Sequence, residues 1–179
     1  MTLQHLDDQI EAIRAEAGKQ RNAYNDHRRF LQESPNLTPA GVEAELVPLE
    51  KSFRENMQAL MAQETDLVAG AVRDLERRVY GTAGTSPDAV ITFRDAQERA
   101  ARLDTIEEAR DAMSRAIRSK DTGLGQAILG RALEQGWRSV IDAYTQDNPQ
   151  IAEAINDLAT LTRFQRDDTQ RLRASMIYL

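Results

Sequence analysis

Apolar residues recur at alternating spacings of three and four along two long stretches, one at each end of the chain. The first stretch runs from Leu3 to Leu31 and includes Leu6, Ile10 and Ile13. A period of 3.5 residues keeps one apolar stripe on one side of a helix and is typical of helices that pack side by side. The pattern therefore predicts a helix from Leu3 to about Glu33, roughly 40 Å long. A helix of that length needs a second helix alongside it.

Gln20 and His27 are polar residues within this first stripe. Polar residues in such a stripe can fix the register or the oligomeric state of packed helices. The alternative is that both lie where the stripe reaches solvent.

Prolines and a capping residue mark the end of this helix and the start of the next. Thr38 followed by Pro39 is a typical helix start. Apolar positions then recur at helical spacing as far as Tyr80, with Pro48 inside the pattern, where we expect a kink or a new start. Because the connection is short, residues 1–80 are predicted to form a long antiparallel hairpin.

The segment GTAGTSP at 81–87 is rich in Gly, Thr and Ser and predicts a flexible hinge at 81–86. Residues 87–147 are predicted to form a compact helical core, with the broadest apolar face in a helix over 124–146. Asp104 and Glu107 resemble a capping box, which would separate two helices within 87–120. One continuous helix over that range is the alternative.

A second stripe with the same alternation begins at Ile151, after the helix start Asn148-Pro149, and predicts an extended C-terminal helix over 148–179. The predicted fold class is thus all-α, with five to six helices and no sheet: a long N-terminal hairpin, a small helical core and a long C-terminal helix. The short β-prone run at 89–93 follows a helix start and has helical spacing, so we interpret it as helix.

The chain ends in apolar residues, which pack either on their own chain or on another subunit. Both stripes exceed what a small core can cover. We therefore predict partner-binding residues at the C-terminal tip and at the start of the first stripe; trimming 177–179 should weaken partner binding and leave the fold intact. These residues are Met176, Ile177, Tyr178, Leu179, Leu3, Leu6, Ile10 and Ile13.

Charge and composition narrow the classes of partner. The chain carries 23 basic and 29 acidic residues, a net charge of −6 with both signs interspersed, so a nucleic-acid-binding surface is not expected. It has no cysteine, which excludes disulfides and thiolate zinc sites. No apolar run reaches the roughly 20 residues of a membrane span, and the first residues are unlike a signal peptide. A cytoplasmic location is expected.

The two histidines and the adjacent pairs of carboxylates are the candidate residues for a metal or catalytic site. Neither His5 nor His27 completes the Glu-x-x-His spacing of di-iron bundles, since Thr2 and Tyr24 occupy the required positions. Adjacent pairs such as Asp7-Asp8 point about 100° apart on a helix and do not converge. The glycines at 123, 125 and 130 do not have the dinucleotide-binding spacing. We predict no catalytic, metal or cofactor site and no enzymatic activity.

The two long stripes, the helical middle and the apolar tip at 176–179 together resemble small all-helical virion assembly proteins of tailed phages, of the head–tail connector or head accessory type. The chain lacks the strongly basic C-terminal helix of a typical scaffolding protein. The resemblance implies a structural protein that is present in the host cytoplasm and then in the virion.

The function expected from the sequence is that of a non-catalytic assembly protein, which forms a homo-oligomer and docks on other structural proteins in a larger complex. The alternative, from a different class, is a regulatory adaptor or antitoxin-like protein that binds a protein partner or DNA.

Overall fold

The protein is helical throughout the residues that the structure describes. The computed structural model describes residues 3–81 and 87–178, without the side chains of 87–89. These ranges contain no strand, which confirms the all-α class. They form eight α-helices and two short 3-10 helices: α1 (Leu3–Glu33), α2 (Pro39–Tyr80), α3 (Pro87–Ala101), α4 (Ile106–Ser119), α5 (Thr122–Gln135), α6 (Arg138–Asp147), α7 (Ala152–Arg166), α8 (Asp168–Ser175), and the 3-10 helices Pro149–Ile151 and Met176–Tyr178.

The predicted number of five to six helices is wrong, and two helix breaks account for most of the difference. Gly136 has φ of 72° and ends α5, so the helix expected over 124–146 is divided into α5 and α6. Asp167 divides the C-terminal segment, because its carboxylate accepts the backbone N–H groups of Thr169 at 3.0 Å and Gln170 at 3.1 Å and so starts α8. The expected long C-terminal helix is therefore two helices, α7 and α8.

The helix start predicted at Thr38 and Pro39 is found, whereas Asn148 precedes a 3-10 helix that begins at Pro149, and α7 begins only at Ala152. The Thr38 hydroxyl accepts the N–H of Gly41 at 3.2 Å, and α2 begins at Pro39. Pro48 lies within α2 and does not start a new helix. Residues 87–120 form two helices, since Thr105 caps α4 by accepting the N–H of Glu108 at 3.3 Å. This cap lies one residue later than the sequence pattern indicated.

The chain divides into two compact units. Unit 1 comprises residues 1–71 and 167–179, and unit 2 comprises residues 72–166. One boundary between the units lies within the last quarter of α2, and the other lies directly before α8. The hinge predicted at 81–86 lies outside the described residues except for Gly81.

Unit 1 is built on the hairpin of α1 and the first part of α2. The ring of Tyr24 stacks on that of Phe53, with centroids 4.4 Å apart, and Arg14 pairs with Glu64. The contact nearer the start of α1, that of Arg14, is made with the later residue of α2, Glu64. The two helices are therefore antiparallel. Helix α8 and the 3-10 helix that follows it belong to this unit.

Unit 2 has a core of aliphatic side chains from α4, α5, α6 and α7. Met113, Ile128, Leu129, Val140 and Ile155 are completely or almost completely buried. Many of the remaining buried positions are alanines, which allow neighbouring helices to approach closely.

No helix in the described ranges is both long enough and apolar enough to cross a lipid bilayer.

Replacement of Gly136 by alanine is expected to destabilise the fold by about 1 kcal/mol, because a side chain disfavours the left-handed conformation at this position. Gly18→Ala is the matched control, because Gly18 lies inside α1 with open space around it and alanine favours the helix. In urea unfolding, Gly136→Ala should lower the free energy of unfolding and Gly18→Ala should raise it. Equal effects would contradict this account of the break between α5 and α6.

Candidate protein-interaction surface

The residues predicted to bind a partner differ widely in exposure. Three are buried, three are half-buried and one is exposed; the eighth, Leu179, lies outside the described residues. In that order the seven are Leu6, Ile13 and Tyr178, then Leu3, Ile10 and Ile177, and finally Met176.

The C-terminal tip packs on the hairpin of its own chain, which is one of the two alternatives that the sequence left open. Tyr178 forms a buried cluster with Ile13 and Ala17 of α1 and Met57 of α2. Further apolar side chains pack around this cluster: Phe53, Leu60, Leu67 and Ile177. Trimming 177–179 would remove part of this cluster, so the expectation that trimming leaves the fold intact no longer holds.

A polar group of three side chains, here called the latch, joins the tip to both helices of the hairpin. Arg14 donates two hydrogen bonds to Glu64, from Nε to Oε2 at 3.0 Å and from Nη2 to Oε1 at 2.6 Å. The hydroxyl of Tyr178 donates to Oε2 of the same carboxylate. Glu64 is only 7% exposed, and these three donors compensate for the loss of its hydration.

A second contact fixes the backbone of the tip. The guanidinium of Arg21 donates to the carbonyl oxygen of Ile177. Arg21 lies two helical turns beyond Arg14 on α1, so one helix holds residue 177 directly through Arg21 and residue 178 through the Arg14–Glu64 pair. The contact is to main chain and does not depend on the side chain at 177.

Two members of the latch, Tyr178 and Arg14, keep their protons near neutral pH. Burial, and then the hydrogen bond to Glu64, raises the pKa of Tyr178 to about 12, so its hydroxyl remains a donor. The hydrogen bond to Glu64 raises the pKa of Arg14, against the opposing effect of burial, so the guanidinium remains charged. The arrangement therefore acts as a static clamp on the tip.

Residues 168–178, here called the arm, carry two exposed apolar side chains. Leu172 is 62% exposed and Met176 is 60% exposed. They are four positions apart, which places them about one helical turn from each other on the same side of the arm. Because the latch fixes the arm on the hairpin, this pair is presented to solvent in a defined position.

A groove of about 490 Å³ lies beside Tyr178 on the hairpin. Its apolar lining includes Phe53, Met57 and Met61, and the last of these is 42% exposed. Glu50 and Arg54, which pair at 2.8 Å, line the same groove. Unit 1 therefore combines a partly open apolar groove with exposed apolar side chains of the arm.

The polar residues within the first stripe have different environments. Gln20 is half-buried and donates its amide N–H to Glu16 at 3.1 Å, whereas His27 is exposed. The amide oxygen of Gln20 is buried and accepts no hydrogen bond from the described residues. Only His27 thus fits the interpretation that the stripe reaches solvent.

Sequence reasoning did not find Glu64, Arg14 or Leu172 as parts of this surface. The available signal was a carboxylate within the apolar stripe of α2, four positions after Leu60 and three before Leu67. Charged residues at such positions are rarely buried unless they are paired. The partner of Glu64 could not be read from the pattern, because Arg14 lies 50 residues away.

Within the described ranges, no group of three or more His, Asp or Glu residues is placed to hold a metal ion. Comparison of the chain with family models, with curated proteins and with solved structures finds no match.

Glu64→Ala is expected to destabilise the protein by about 2–4 kcal/mol, because it leaves Arg14 and the Tyr178 hydroxyl without their shared acceptor. Glu55→Ala is the matched control on the same helix, since Glu55 is exposed and should change stability by no more than about 0.5 kcal/mol. Urea unfolding gives the magnitudes, and proteolysis of the C-terminus shows whether the arm is released. Similar unfolding midpoints for the two variants would rule out a structural role for the latch.

The arm is also expected to lose stability at alkaline pH. The folded-state pKa of Tyr178 is about 12, above the value near 10 of a free tyrosine. The stabilisation of the folded state by the protonated hydroxyl is therefore fully present below pH 10. That contribution is lost as the pH rises from about 10 to about 12. The tyrosinate absorbance of the wild-type chain minus that of Tyr178→Phe should show one group titrating near pH 12. A midpoint near 10 would show that this hydroxyl is not held by Glu64.

Proposed function

We propose that this chain is a non-catalytic assembly protein that forms a homo-oligomer and docks on a larger complex through unit 1. One observation carries the proposal: the latch holds the arm on the hairpin while Leu172 and Met176 remain exposed. An apolar pair held in this way is suited to binding another protein surface.

Exposure alone would not support this function, because single apolar side chains are common on protein surfaces. Here Leu172 lies on α8 and Met176 on the 3-10 helix that follows it, and that 3-10 helix is fixed by the hydrogen bonds of Arg21 with the Ile177 carbonyl and of Tyr178 with Glu64. A surface that is ordered before binding loses less conformational entropy when a partner associates. The exposed side chain of Met61 in the neighbouring groove adds to the apolar area of unit 1.

The more specific form of the proposal is a virion component of a tailed phage, of the connector or head accessory type. It depends on the resemblance in overall helical character and on the apolar C-terminal segment. In that case the protein is made in the host cytoplasm and then incorporated into the virion, with itself and other structural proteins as partners.

We expect light scattering to show an oligomer of the purified chain at micromolar concentration. Leu172→Ser combined with Met176→Ser should shift it toward the monomer without changing the unfolding midpoint, because both side chains are exposed. Val90→Ser combined with Ile91→Ser is the matched control, since it removes two exposed apolar side chains from α3 in unit 2 and should leave the oligomer unchanged.

A wild-type chain that remains strictly monomeric contradicts self-association. An oligomer that withstands the double substitution on the arm contradicts the role of Leu172 and Met176. Salt-dependent retention of the chain on duplex DNA would favour the alternative function, an adaptor or antitoxin-like protein that binds DNA.

A further inference from the structure

Unit 2 contains a cleft of about 550 Å³, formed by the end of α2 together with α3, α5 and α7. Its volume falls in the range of about 300–1,000 Å³ that is typical of sites for small organic ligands. Part of the lining is apolar and includes Phe93, Leu133 and Leu158. Such a surface suits the carbon skeleton of a ligand.

A phenol hydroxyl, that of Tyr80, lies in this cleft. The side chain of Tyr80 is half-buried, and its hydroxyl makes no hydrogen bond with the described residues. Gly130 stands beside it, and a Cβ at that position would be 3.7 Å from the Tyr80 oxygen. The absence of a side chain at 130 leaves room next to the hydroxyl, so a ligand atom can reach it.

The lining carries two carboxylates, Glu76 and Glu134, and one arginine, Arg131, so the cleft has a net negative charge. Glu76 forms no ion pair within the described residues, and Glu134 lies 3.7 Å from Arg131. Burial, followed by the charges of Glu76 and Glu134, raises the pKa of Tyr80 above its ordinary value. Both carboxylates are therefore close enough to influence the hydroxyl.

The positive charge of Arg131 is shared among several groups and does not neutralise this site. Its guanidinium lies 4.0 Å from the carboxylate of Asp104 and donates to the carbonyl of Leu103 at 3.4 Å. It also lies 5.9 Å from the centre of the Trp137 ring. Glu76 consequently remains available to a cation that enters the cleft.

We propose that this cleft binds an organic cation, an ammonium or guanidinium group carried on an apolar or aromatic body. The cationic group lies near Glu76 and Glu134 and donates a hydrogen bond to the Tyr80 oxygen, while the body packs against Phe93 and Leu158. A free amine and the lysine or arginine side chain of a partner share this chemistry. The site lies in unit 2 and does not depend on the assembly function proposed for unit 1.

Calorimetric titration of the full chain with phenethylammonium tests the charge requirement directly. Phenethyl alcohol and 3-phenylpropionate serve as the neutral and anionic counterparts with the same ring. We expect one saturable site for the cation, binding of the alcohol weaker by about fivefold or more, and no binding of the carboxylate. A blocked phenylalanyl-arginine dipeptide tests the second source of the same cationic group.

Substitutions in the cleft then identify the residues involved. Glu76→Gln should weaken cation binding about three- to fivefold, the effect of losing one partly solvated ion pair. Tyr80→Phe removes only the hydroxyl and should also weaken it. Glu107→Gln on α4 is the matched control, since it makes the same change in net charge at an exposed position outside the cleft.

Equal affinity for the cation and the alcohol overturns the proposal, as does an equal effect of Glu76→Gln and Glu107→Gln. Absence of saturable binding by both phenethylammonium and the dipeptide also overturns it. If Tyr80→Phe lowers the unfolding midpoint, Glu76→Gln decides, because Glu76 is exposed and its replacement should not affect folding. Binding of the amine alone indicates a small-molecule ligand, and binding of the dipeptide alone indicates a partner side chain; either result supports the cationic site.

Discussion

The buried carboxylate of Glu64 determines how unit 1 is put together. A carboxylate removed from water is unfavourable unless donors replace its hydration, and here Arg14 supplies two hydrogen bonds and Tyr178 supplies one. These donors come from α1 and from the C-terminal tip, while the acceptor comes from α2. Compensating the charge of this one carboxylate therefore requires α1, α2 and the C-terminal tip to meet at one point. Apolar packing alone would define the relative position of these three segments less closely.

The two units have different chemical characters, and the two functional proposals follow from that difference. Unit 1 fixes an arm with two exposed apolar side chains, Leu172 and Met176, a feature suited to binding a protein surface. Unit 2 has a cleft with a partly apolar lining, in which Glu76 and the Tyr80 hydroxyl have no partner among the described residues, a feature suited to a cation. Neither site uses residues of the other, so each proposal can fail without affecting the other.

The sequence predicted features that depend on neighbouring residues and missed those that depend on distant ones. The bounds of α1 and α2 were predictable because Thr38 and Pro39 act locally on the backbone. The break at Asp167 was missed because the apolar spacing continues through it. Its carboxylate caps α8, and Arg171 pairs with Asp168. A 3.5-residue period also does not distinguish a partner helix in the same chain from one in another copy. The tip could therefore be recognised as a segment that packs on another apolar surface. Its attachment to Glu64, 114 residues earlier, could not be predicted.

The division of unit 1 into residues 1–71 and 167–179 has a consequence for synthesis. The hairpin leaves the ribosome long before Tyr178 is translated, and until then Glu64 lacks one of its donors. Unit 2, which lies between the two parts in the chain, can fold during this interval. Closure of unit 1 is thus delayed until residue 178 has been translated. A chain truncated before residue 178 leaves this carboxylate incompletely satisfied and the apolar side chains around it uncovered, a state that proteases and chaperones can recognise.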